Sequence, residues 1–391
     1  MINYLIIFFV SLAIVTATIP SIISVSLRKR LFDVPSEPRK IHKRIVPNLG
    51  GIAIFLAIVL TQMLFVRNSA SGISNFLLAA ALIIFSIGLK DDLVGLDPFK
   101  KFIAQFAAAF IVTILADIRI KSLDWIFGLT TLSYPFSIAL SVFVIVGVIN
   151  AFNLIDGVDG LAGTLGVIMS LTFAMLFYSA GKTDWTCLSV AIGGAFAGFL
   201  IFNISPAKIF MGDSGSLTLG FFSSILGVEF MNISELHPIS IGLLRISSAP
   251  ALVVAILLVP MFDTIRVFTL RILNNTSPFR ADRNHIHHRL LSIGMSHTQV
   301  TLTLSGITIL FIATAFYFQS IGNNQLIATL VIMIVSLNTG FTIYLHSRNL
   351  RLGRMEEEIT EAEVKPITLK IAHDKQDASL NDDMVKKVAK N

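Results

Sequence analysis

The chain has 391 residues, of which 54% are hydrophobic and 14% are charged, and its mean hydropathy is +0.79. A soluble globular domain carries about 25% charged residues, so this composition excludes an ordinary water-soluble fold. The formal net charge is +6, and the single cysteine, Cys187, excludes an intrachain disulfide and a cysteine-based metal cluster. No nucleic-acid partner is expected.

Apolar blocks separated by polar breaks predict eleven membrane-spanning helices, since a helix needs about 20 apolar residues to cross a bilayer. The first block has no basic start and no small-residue cleavage site, so we interpret it as a retained helix. The prediction is an all-α integral membrane protein with a catalytic domain over residues 1–346 and a polar, flexible tail over 347–391. The eleven blocks are residues 2–27, 49–66, 73–89, 102–118, 134–152, 161–179, 185–203, 215–231, 249–270, 299–319 and 325–346.

Lysine and arginine concentrate in alternate loops, which orients the predicted helices. By the positive-inside rule the rich loops are cytoplasmic, so we predict the N-terminus outside and the C-terminus inside. The four polar clusters described next all fall on the predicted cytoplasmic side. The basic residues of that side include Arg28, Lys29, Arg30, Arg39, Lys40, Lys43, Arg44, Lys90, Lys100, Lys101, Lys208, Arg271, Arg280, Arg283 and Arg289.

Two adjacent aspartates follow the third predicted helix, within the segment from Lys90 to Lys101. Asp91 and Asp92 repel each other unless a cation lies between them or one of them takes up a proton. The pair therefore predicts either a site for a hard, oxygen-liganded cation such as Mg2+ or a general base. A solvated Asp-Asp turn with Lys90 as its ionic partner is the alternative.

Amides and carboxylates recur every three residues across the end of the fifth predicted helix, at Asn150, Asn153, Asp156 and Asp159. This spacing keeps helical neighbours on one face, and such side chains suit the base and ribose of a nucleotide. Helix capping by Asn and Asp is the alternative, although it accounts for one of these residues rather than for all of them.

Asp213 lies among glycines and serines directly before another apolar block. Small residues let the backbone approach a phosphate, and the start of the following helix is expected to offer free N–H groups. The pattern therefore predicts phosphate binding, with helix capping by Asp213 or a serine as the alternative.

A basic loop after the ninth predicted helix places His285, His287 and His288 between Arg280 and Arg289. Three imidazoles can bind zinc, but the neighbouring arginines oppose the binding of a cation. The loop is better suited to phosphate oxygens. Zinc binding and a merely solvated basic loop are the alternatives.

Carboxylates for a divalent cation and cationic groups for phosphates, together at a membrane surface, are what phosphoryl transfer requires. At these residues the sequence resembles the polyprenyl-phosphate N-acetylhexosamine-1-phosphate transferases of glycosyltransferase family 4. The resemblance extends from about Arg28 to the last predicted helix. Its motifs are Arg39-Lys40-x-His42 with Pro47 and Gly50-Gly51, Asp91-Asp92 with Lys101, Asn153-x-x-Asp156-Gly-x-Asp159-Gly, Met211-Gly-Asp213-Ser-Gly215, and His285-x-His287-His288.

The resemblance implies transfer of a sugar 1-phosphate, with GlcNAc-1-phosphate as the preferred candidate, from a UDP-sugar to undecaprenyl phosphate in the bacterial inner membrane, with release of UMP. It implies Mg2+ as the cofactor, with Mn2+ as a candidate substitute, and it is compatible with a homodimer. Asp213 is the implied metal ligand, assisted by Asp91 or Asp92, and Asp91 is also the implied base for the lipid phosphate. The further candidate catalytic residues are Asp92, Asp156, Asp159 and His287, and the candidate substrate-binding residues are Lys43, Lys101, Asn150, Asn153, Asp156, Arg280, His285, His287, His288 and Arg289.

The spacing in the histidine loop is similar to that of the bacterial branch that starts O-antigen (lipopolysaccharide), enterobacterial common antigen or teichoic acid synthesis. The muramoyl-pentapeptide branch, the alternative within the family, has consecutive histidines after a Pro-Ile pair that is absent here. A secondary transporter is the alternative from another class, and it would place ionisable residues near mid-membrane. Asp263 and Arg266, candidates for an intramembrane pair, are the exceptions to the position of the other carboxylates at cytoplasmic helix ends.

Overall fold

The computed structural model describes residues 2–29, 31, 46–66, 73–123, 128, 131–236, 239–242, 244–277, 284–348 and 350–351. These residues are mainly helical. A short antiparallel hairpin of β1 (Ile239–Ile241) and β2 (Leu244–Ile246) pairs Ile239 with Ile246. The helices are α1 (Ile2–Lys29), α2 (Gly50–Phe65), α3 (Ile73–Val94), α4 (Pro98–Phe110, continued by a π-helical turn Ile111–Leu115), α5 (Tyr134–Ile155), α6 (Leu161–Ser179), α7 (Thr183–Asn203), α8 (Gly212–Leu236), α9 (Ala249–Leu273), α10 (Ile286–Ser292), α11 (His297–Tyr317, followed by a 3-10 turn Gln319–Ile321) and α12 (Asn323–Arg348).

Each of the eleven predicted apolar segments overlaps one of these helices. Within the described residues, nine helices are long and apolar enough to cross a membrane. A helix is the expected form in lipid, because it satisfies every backbone hydrogen-bonding group within one segment. The prediction of an all-α, multi-pass membrane protein is confirmed, whereas the count of eleven and the orientation remain predictions.

The chain divides into two compact units, Met1–Val331 and Ile332–Asn391. The first unit contains all of the site described below. In the second unit, the structure describes the last part of α12, which ends at Arg348, and residues 350–351. Residues 352–391, most of the predicted flexible tail, lie outside the described residues, so the proposed boundary at 346 remains a prediction.

Helix α8 is the buried helix around which the site is built. In its most apolar stretch 83% of the residues are buried, compared with 22% in α1. Glycines on two neighbours allow their backbones to approach its first turn. A Cβ on Gly51 of α2 would lie 2.2 Å from the Gly215 nitrogen, and a Cβ on Gly88 of α3 would lie 2.6 Å from the Ser214 Cα. Small residues at such crossings permit close packing of membrane helices.

Backbone hydrogen bonds fix the loop that leads into α8. The Phe210 amide donates to the Pro47 carbonyl at 2.7 Å, and the amides of Gly50 and Gly51 donate to the carbonyls of Phe210 and Met211 at 2.9 and 2.8 Å. The start of α2 and the start of α8 are therefore tied together by their main chains. This explains structurally why Pro47 and the Gly50-Gly51 pair accompany the aspartate motifs in the sequence.

Candidate active site

Four helices bring their polar ends together around Asp213, the second residue of α8. The Lys101 ammonium on α4 donates to Asp213 Oδ2 and, at 2.8 Å, to Asp91 Oδ2 on α3. The Asn153 amide on α5 donates to Asp213 Oδ1 at 2.9 Å and to the Ser216 hydroxyl at 3.0 Å. Three motifs that are far apart in sequence thus form one hydrogen-bonded cluster.

The two adjacent aspartates have different surroundings. Asp92 accepts hydrogen bonds from the backbone amides of Asp213 and Ser214 at 2.7 and 3.0 Å and from the Ser214 hydroxyl at 2.6 Å. A carboxylate from α3 therefore occupies the N-terminus of α8, where the helix dipole favours negative charge. Our prediction that these amides are free to bind a phosphate is wrong at Asp213 and Ser214, because Asp92 already accepts their hydrogen bonds.

Asp91 is likewise not part of a merely solvated turn. Its Oδ1 accepts the Leu96 amide at 2.5 Å, while its Oδ2 is held by Lys101 and not by Lys90, which was the ionic partner in the alternative reading. Lys100, the other lysine of the motif, is exposed. Lys101 is therefore the lysine that belongs to this cluster.

A cavity of about 270 Å³ opens beside Asp213. Asp156, the residue that follows the last turn of α5, lines it with its carboxylate half-buried. Desolvation, together with the nearby charges of Asp213, Asp92 and Asp159, raises the pKa of Asp156 to about 7. The lining residues are Asn153, Asp156, Gly157, Val158, Asp159, Asn203, Phe210, Gly212, Asp213 and Ser216.

Asp159 lies at the edge of this cavity in a buried, mainly structural setting. Its Oδ2 accepts the Ala207 amide at 3.2 Å, and its Oδ1 lies 3.3 Å from His297 Nδ1 at the start of α11. The Thr301 hydroxyl donates to its carbonyl at 3.0 Å. Asp159 therefore connects the start of α6, the loop after α7 and the start of α11.

Asn150, the first residue of the predicted nucleotide-binding series, contacts neighbouring helical residues and not the cavity. The Asn150 amide donates to Gln105 Oε1 of α4 at 2.7 Å and to the Val146 carbonyl at 2.8 Å. It is not among the residues that line the cavity. Its role in substrate binding remains a prediction, while its visible contacts join α4 to α5.

Two residues that the sequence analysis did not single out support the cavity. Asn203, the last residue of α7, accepts the Gly160 amide at 2.8 Å and donates to the Ile209 carbonyl at 2.9 Å. His297 contacts Asp159 as described above. Each lies at one end of an apolar helix, and that position is the feature of the sequence that could have identified it.

In the histidine segment (residues 285–289), His287 packs against Gly157, which lines the cavity. His287 is 1% exposed, and a Cβ on Gly157 would lie 2.5 Å from its Nε2. Burial, and then the neighbouring His288, lower the pKa of His287 to about 3, so this imidazole is neutral at physiological pH. The rings of His285 and His287 are nearly parallel, with centroids 5.8 Å apart. Two other predicted members of the basic site, Lys43 and Arg280, lie outside the described residues.

The candidate intramembrane pair is present. Arg266 donates to Asp263 Oδ1 at 3.0 Å, one turn apart on α9. Asp263 also lies 2.9 Å from His285 Nδ1, so the pair belongs to the histidine segment and not to a separate pathway across the membrane.

The candidate metal ligands are the carboxylate groups around Asp213. Across the ranges that the structure describes, no three His, Cys, Asp or Glu side chains are arranged to hold one metal ion. The predicted metal ligands, Asp213 assisted by Asp91 or Asp92, stay a prediction; in this structure Asp92 accepts the first amides of α8. Mg2+ commonly needs one or two carboxylates plus substrate phosphates. Asp213 and Asp91, which contact the same ammonium group, fit that smaller requirement.

Fold and site together define a multi-pass membrane protein with a carboxylate, amide and lysine cluster at the ends of its helices. The sequence matches glycosyl transferase family 4 over residues 74–231, which include the three aspartate-containing motifs but not the histidine segment. The chain belongs to this family, in the group of polyprenyl-phosphate N-acetylglucosaminyl 1-phosphate transferases.

Three relatives illustrate the similarity. The chain is 35% identical over 329 residues to a probable undecaprenyl-phosphate N-acetylglucosaminyl 1-phosphate transferase of Bacillus subtilis, covering 82% of this chain and 86% of that one. It is 34% identical over 303 residues to a decaprenyl-phosphate N-acetylglucosaminephosphotransferase of Mycobacterium tuberculosis (72% and 75% covered). It is 29% identical over 274 residues to an undecaprenyl-phosphate alpha-N-acetylglucosaminyl 1-phosphate transferase of Escherichia coli O157:H7 (68% and 71% covered).

Proposed function

We propose that this protein transfers GlcNAc-1-phosphate from UDP-GlcNAc to undecaprenyl phosphate and releases UMP. The observation that carries the proposal is the cluster of Asp91, Lys101, Asn153 and Asp213 beside a polar cavity, in a chain related to transferases named for this chemistry. The product would be the first lipid-linked intermediate of a bacterial cell-surface polysaccharide. The names of the relatives favour this function over muramoyl-pentapeptide transfer and over transport.

The acceptor half of the reaction would use Asp91 and Lys101. A polyprenyl phosphate must attack as an anion, and Asp91 is a carboxylate that can accept its proton. Lys101 is placed to neutralise phosphate charge, because its ammonium already bridges Asp91 and Asp213. In the family's reaction the lipid phosphate attacks the β-phosphorus of the nucleotide sugar, a bond forms between that phosphorus and the lipid phosphate oxygen, and UMP leaves with the electrons of the broken bond.

The donor half would use the cavity. Mg2+, when bound, would neutralise the donor's pyrophosphate, and Asp213 with Asp91 would hold it. Asn153 orients Asp213 through the hydrogen bond to Oδ1. Asp156 would offer an acceptor to the nucleotide, and the neutral His287 packs behind Gly157 of the cavity wall. His288 and Arg289 follow on α10 and would contact the donor's diphosphate or sugar.

The membrane orientation is part of this proposal. The distribution of lysine and arginine favours a site on the cytoplasmic side of the inner membrane, where a nucleotide sugar is available. Cysteine labelling in intact cells tests this directly. A cysteine at Lys100 should be protected from a membrane-impermeant maleimide, and one at Lys182, in a loop predicted to be outside, should react. The reverse pattern would contradict the orientation.

Purified protein in detergent with UDP-GlcNAc, undecaprenyl phosphate and Mg2+ tests the function. We expect UMP and a lipid-linked diphospho-sugar in equal amounts, no release in EDTA, and a loss on the order of 100-fold or more in Asp213→Asn. Asp117→Asn is a matched control, because Asp117 is exposed and lies beyond the far end of α4 and its π-helical turn, whereas Lys101 lies near the start of α4.

The donor is varied in the same assay. UDP-GalNAc and UDP-MurNAc-pentapeptide should give less product than UDP-GlcNAc. If no UDP-N-acetylhexosamine yields a lipid product, the proposed function is wrong. Full activity in Asp213→Asn would remove the assignment of the metal site while leaving the reaction in place.

A further inference from the structure

The start of the histidine segment is held by one carboxylate from inside α9. Asp263 is 2% exposed. Its Oδ2 lies 2.9 Å from His285 Nδ1, and its Oδ1 accepts the backbone amide of Ile286 at 2.9 Å. One side chain therefore fixes both the ring of His285 and the first backbone amide of α10.

Arg266 completes this attachment from the next turn of α9. Its guanidinium donates to Asp263 Oδ1 at 3.0 Å and also to the Asn284 carbonyl. A buried carboxylate is costly unless it is paired and hydrogen-bonded, and these contacts supply both conditions. The two side chains together bind three consecutive residues, 284–286, immediately before His287, which packs against Gly157 in the cavity wall.

The contact to Nδ1 has a chemical consequence for His285. A carboxylate accepts hydrogen bonds, so the nitrogen 2.9 Å from it carries the proton, and Nε2 is left to face other groups. The ring plane is fixed as well, and it lies within 10° of the plane of His287, with the ring centroids 5.8 Å apart. The His287 and His288 rings are in turn 4.3 Å apart. The orientation of the first imidazole therefore constrains the next two.

We propose that Asp263 is a positioning residue for the transfer reaction, and that it acts through His285 by fixing the ring's orientation and the nitrogen that carries its proton. The inference rests on the proposed function, because the imidazoles are assigned to the donor substrate there. Asp263 does not itself line the cavity. In metal and catalytic sites, partners that orient a functional side chain typically change affinity or activity 10- to 100-fold when removed.

The test compares Asp263→Asn with the wild type in the UMP-release assay. Asparagine has the shape of aspartate, but one of its two groups is a donor, so it cannot accept from both His285 Nδ1–H and the Ile286 amide. We expect kcat/KM for UDP-GlcNAc to fall about 10- to 100-fold, with the KM for undecaprenyl phosphate little changed and the protein still folded, as shown by a cooperative thermal-unfolding transition. Thr269→Ala, on the exposed face of the same helix, is the matched control and should retain wild-type kinetics.

A double-mutant cycle separates positioning from a general structural role. If Asp263 acts through His285, then Asp263→Asn should have little further effect on kcat/KM once His285→Ala is present. If the fold-loss in kcat/KM of the double variant equals the product of the two single-variant losses, the proposal is overturned. Wild-type kinetics in Asp263→Asn alone would also overturn it. Asp263→Glu keeps the charge and is the second variant. It should recover part of the lost activity, and failure of both variants to fold would also overturn the proposal, because Asp263 would then serve the fold.

Different results would refute the proposed function and the positioning role of Asp263. A wild-type protein without UMP release would refute the proposed function. Wild-type turnover that persists in Asp263→Asn would refute the positioning role and leave the proposed function intact.

Discussion

Replacing Lys101 with methionine should strengthen metal binding while slowing the reaction. Lys101 Nζ bridges Asp91 and Asp213, with 2.8 Å to Asp91 Oδ2. Methionine keeps the length of the side chain and the helix propensity but removes the charge. The two carboxylates then face each other without their shared cation, and the divalent metal no longer competes with an ammonium group for Asp213.

The magnitude follows from the geometry. Two acceptors of one ammonium group lie about 4.5 Å apart, where unit charges repel by about 4 kcal/mol at an effective dielectric constant of 20. The three side chains are 17–26% exposed, so solvent screening reduces this repulsion. With about 1–2 kcal/mol remaining, the metal should bind about tenfold more tightly, since 1.4 kcal/mol corresponds to a factor of ten.

Manganese binding to purified protein, followed by the EPR signal of free Mn2+, measures this without turnover. UMP release measures kcat in parallel, and we expect it to fall about 10- to 100-fold because phosphate charge is no longer neutralised. Lys100→Met is the matched control, because Lys100 is the neighbouring residue and is exposed. Metal affinity that is unchanged or weaker in Lys101→Met would refute the reasoning, since it would mean that Lys101 does not compete at Asp213.

Three further predictions concern the cavity. Because the pKa of Asp156 rises from 3.8 to about 7 on folding, its contribution to stability is present below pH of about 4 and is lost as the pH rises through about 7. The metal-free thermal midpoint should therefore fall between pH 5 and pH 8, and an equal slope in Asp156→Asn would contradict this. Gly157→Ala would place a Cβ 2.5 Å from His287 Nε2 and should lower kcat/KM up to about 100-fold, whereas Gly147→Ala, which meets nothing within 4 Å, should be fully active. Asn203→Ala removes hydrogen bonds to two backbone groups and should destabilise the protein by about 2–3 kcal/mol, seen as a lower thermal midpoint; an unchanged midpoint would show that these bonds are replaced by others.

The helices were predictable because the bilayer imposes a simple requirement on the sequence. Apolar blocks of about 20 residues are needed to cross it, and each predicted block overlaps a helix. The sequence also predicted that the polar motifs lie on one side of the membrane. Asp91, Asn153 and Asp213 had been placed on the same side of the membrane by the loop charges, and they contact one another through Lys101 and the Asn153 amide.

The separate roles of neighbouring residues were not predictable. Asp91 and Asp92 differ by one position, but successive helical residues point about 100° apart, and the two carboxylates reach different helices. Asn150 precedes Asn153 by almost one turn, and its amide meets Gln105 on α4 instead of the cavity. The neighbour that each side chain meets depends on how the helices pack. That packing depends on close contacts between residues far apart in sequence, such as Gly88 with Ser214.

The site keeps several carboxylates close together by giving them different partners. Asp91 and Asp213 share the Lys101 ammonium, Asp92 accepts from the first amides of α8, and Asp159 contacts His297 and the Ala207 amide. Among the described residues, Asp156 has no hydrogen-bond partner or ion-pair partner of this kind, although it faces three of the others. Burial and the charges of Asp213, Asp92 and Asp159 raise the pKa of Asp156 to about 7, and burial raises the pKa of Asp92 to about 7 as well. Asp156 is therefore the carboxylate of this group that a ligand entering the cavity can contact without displacing a hydrogen bond from the protein.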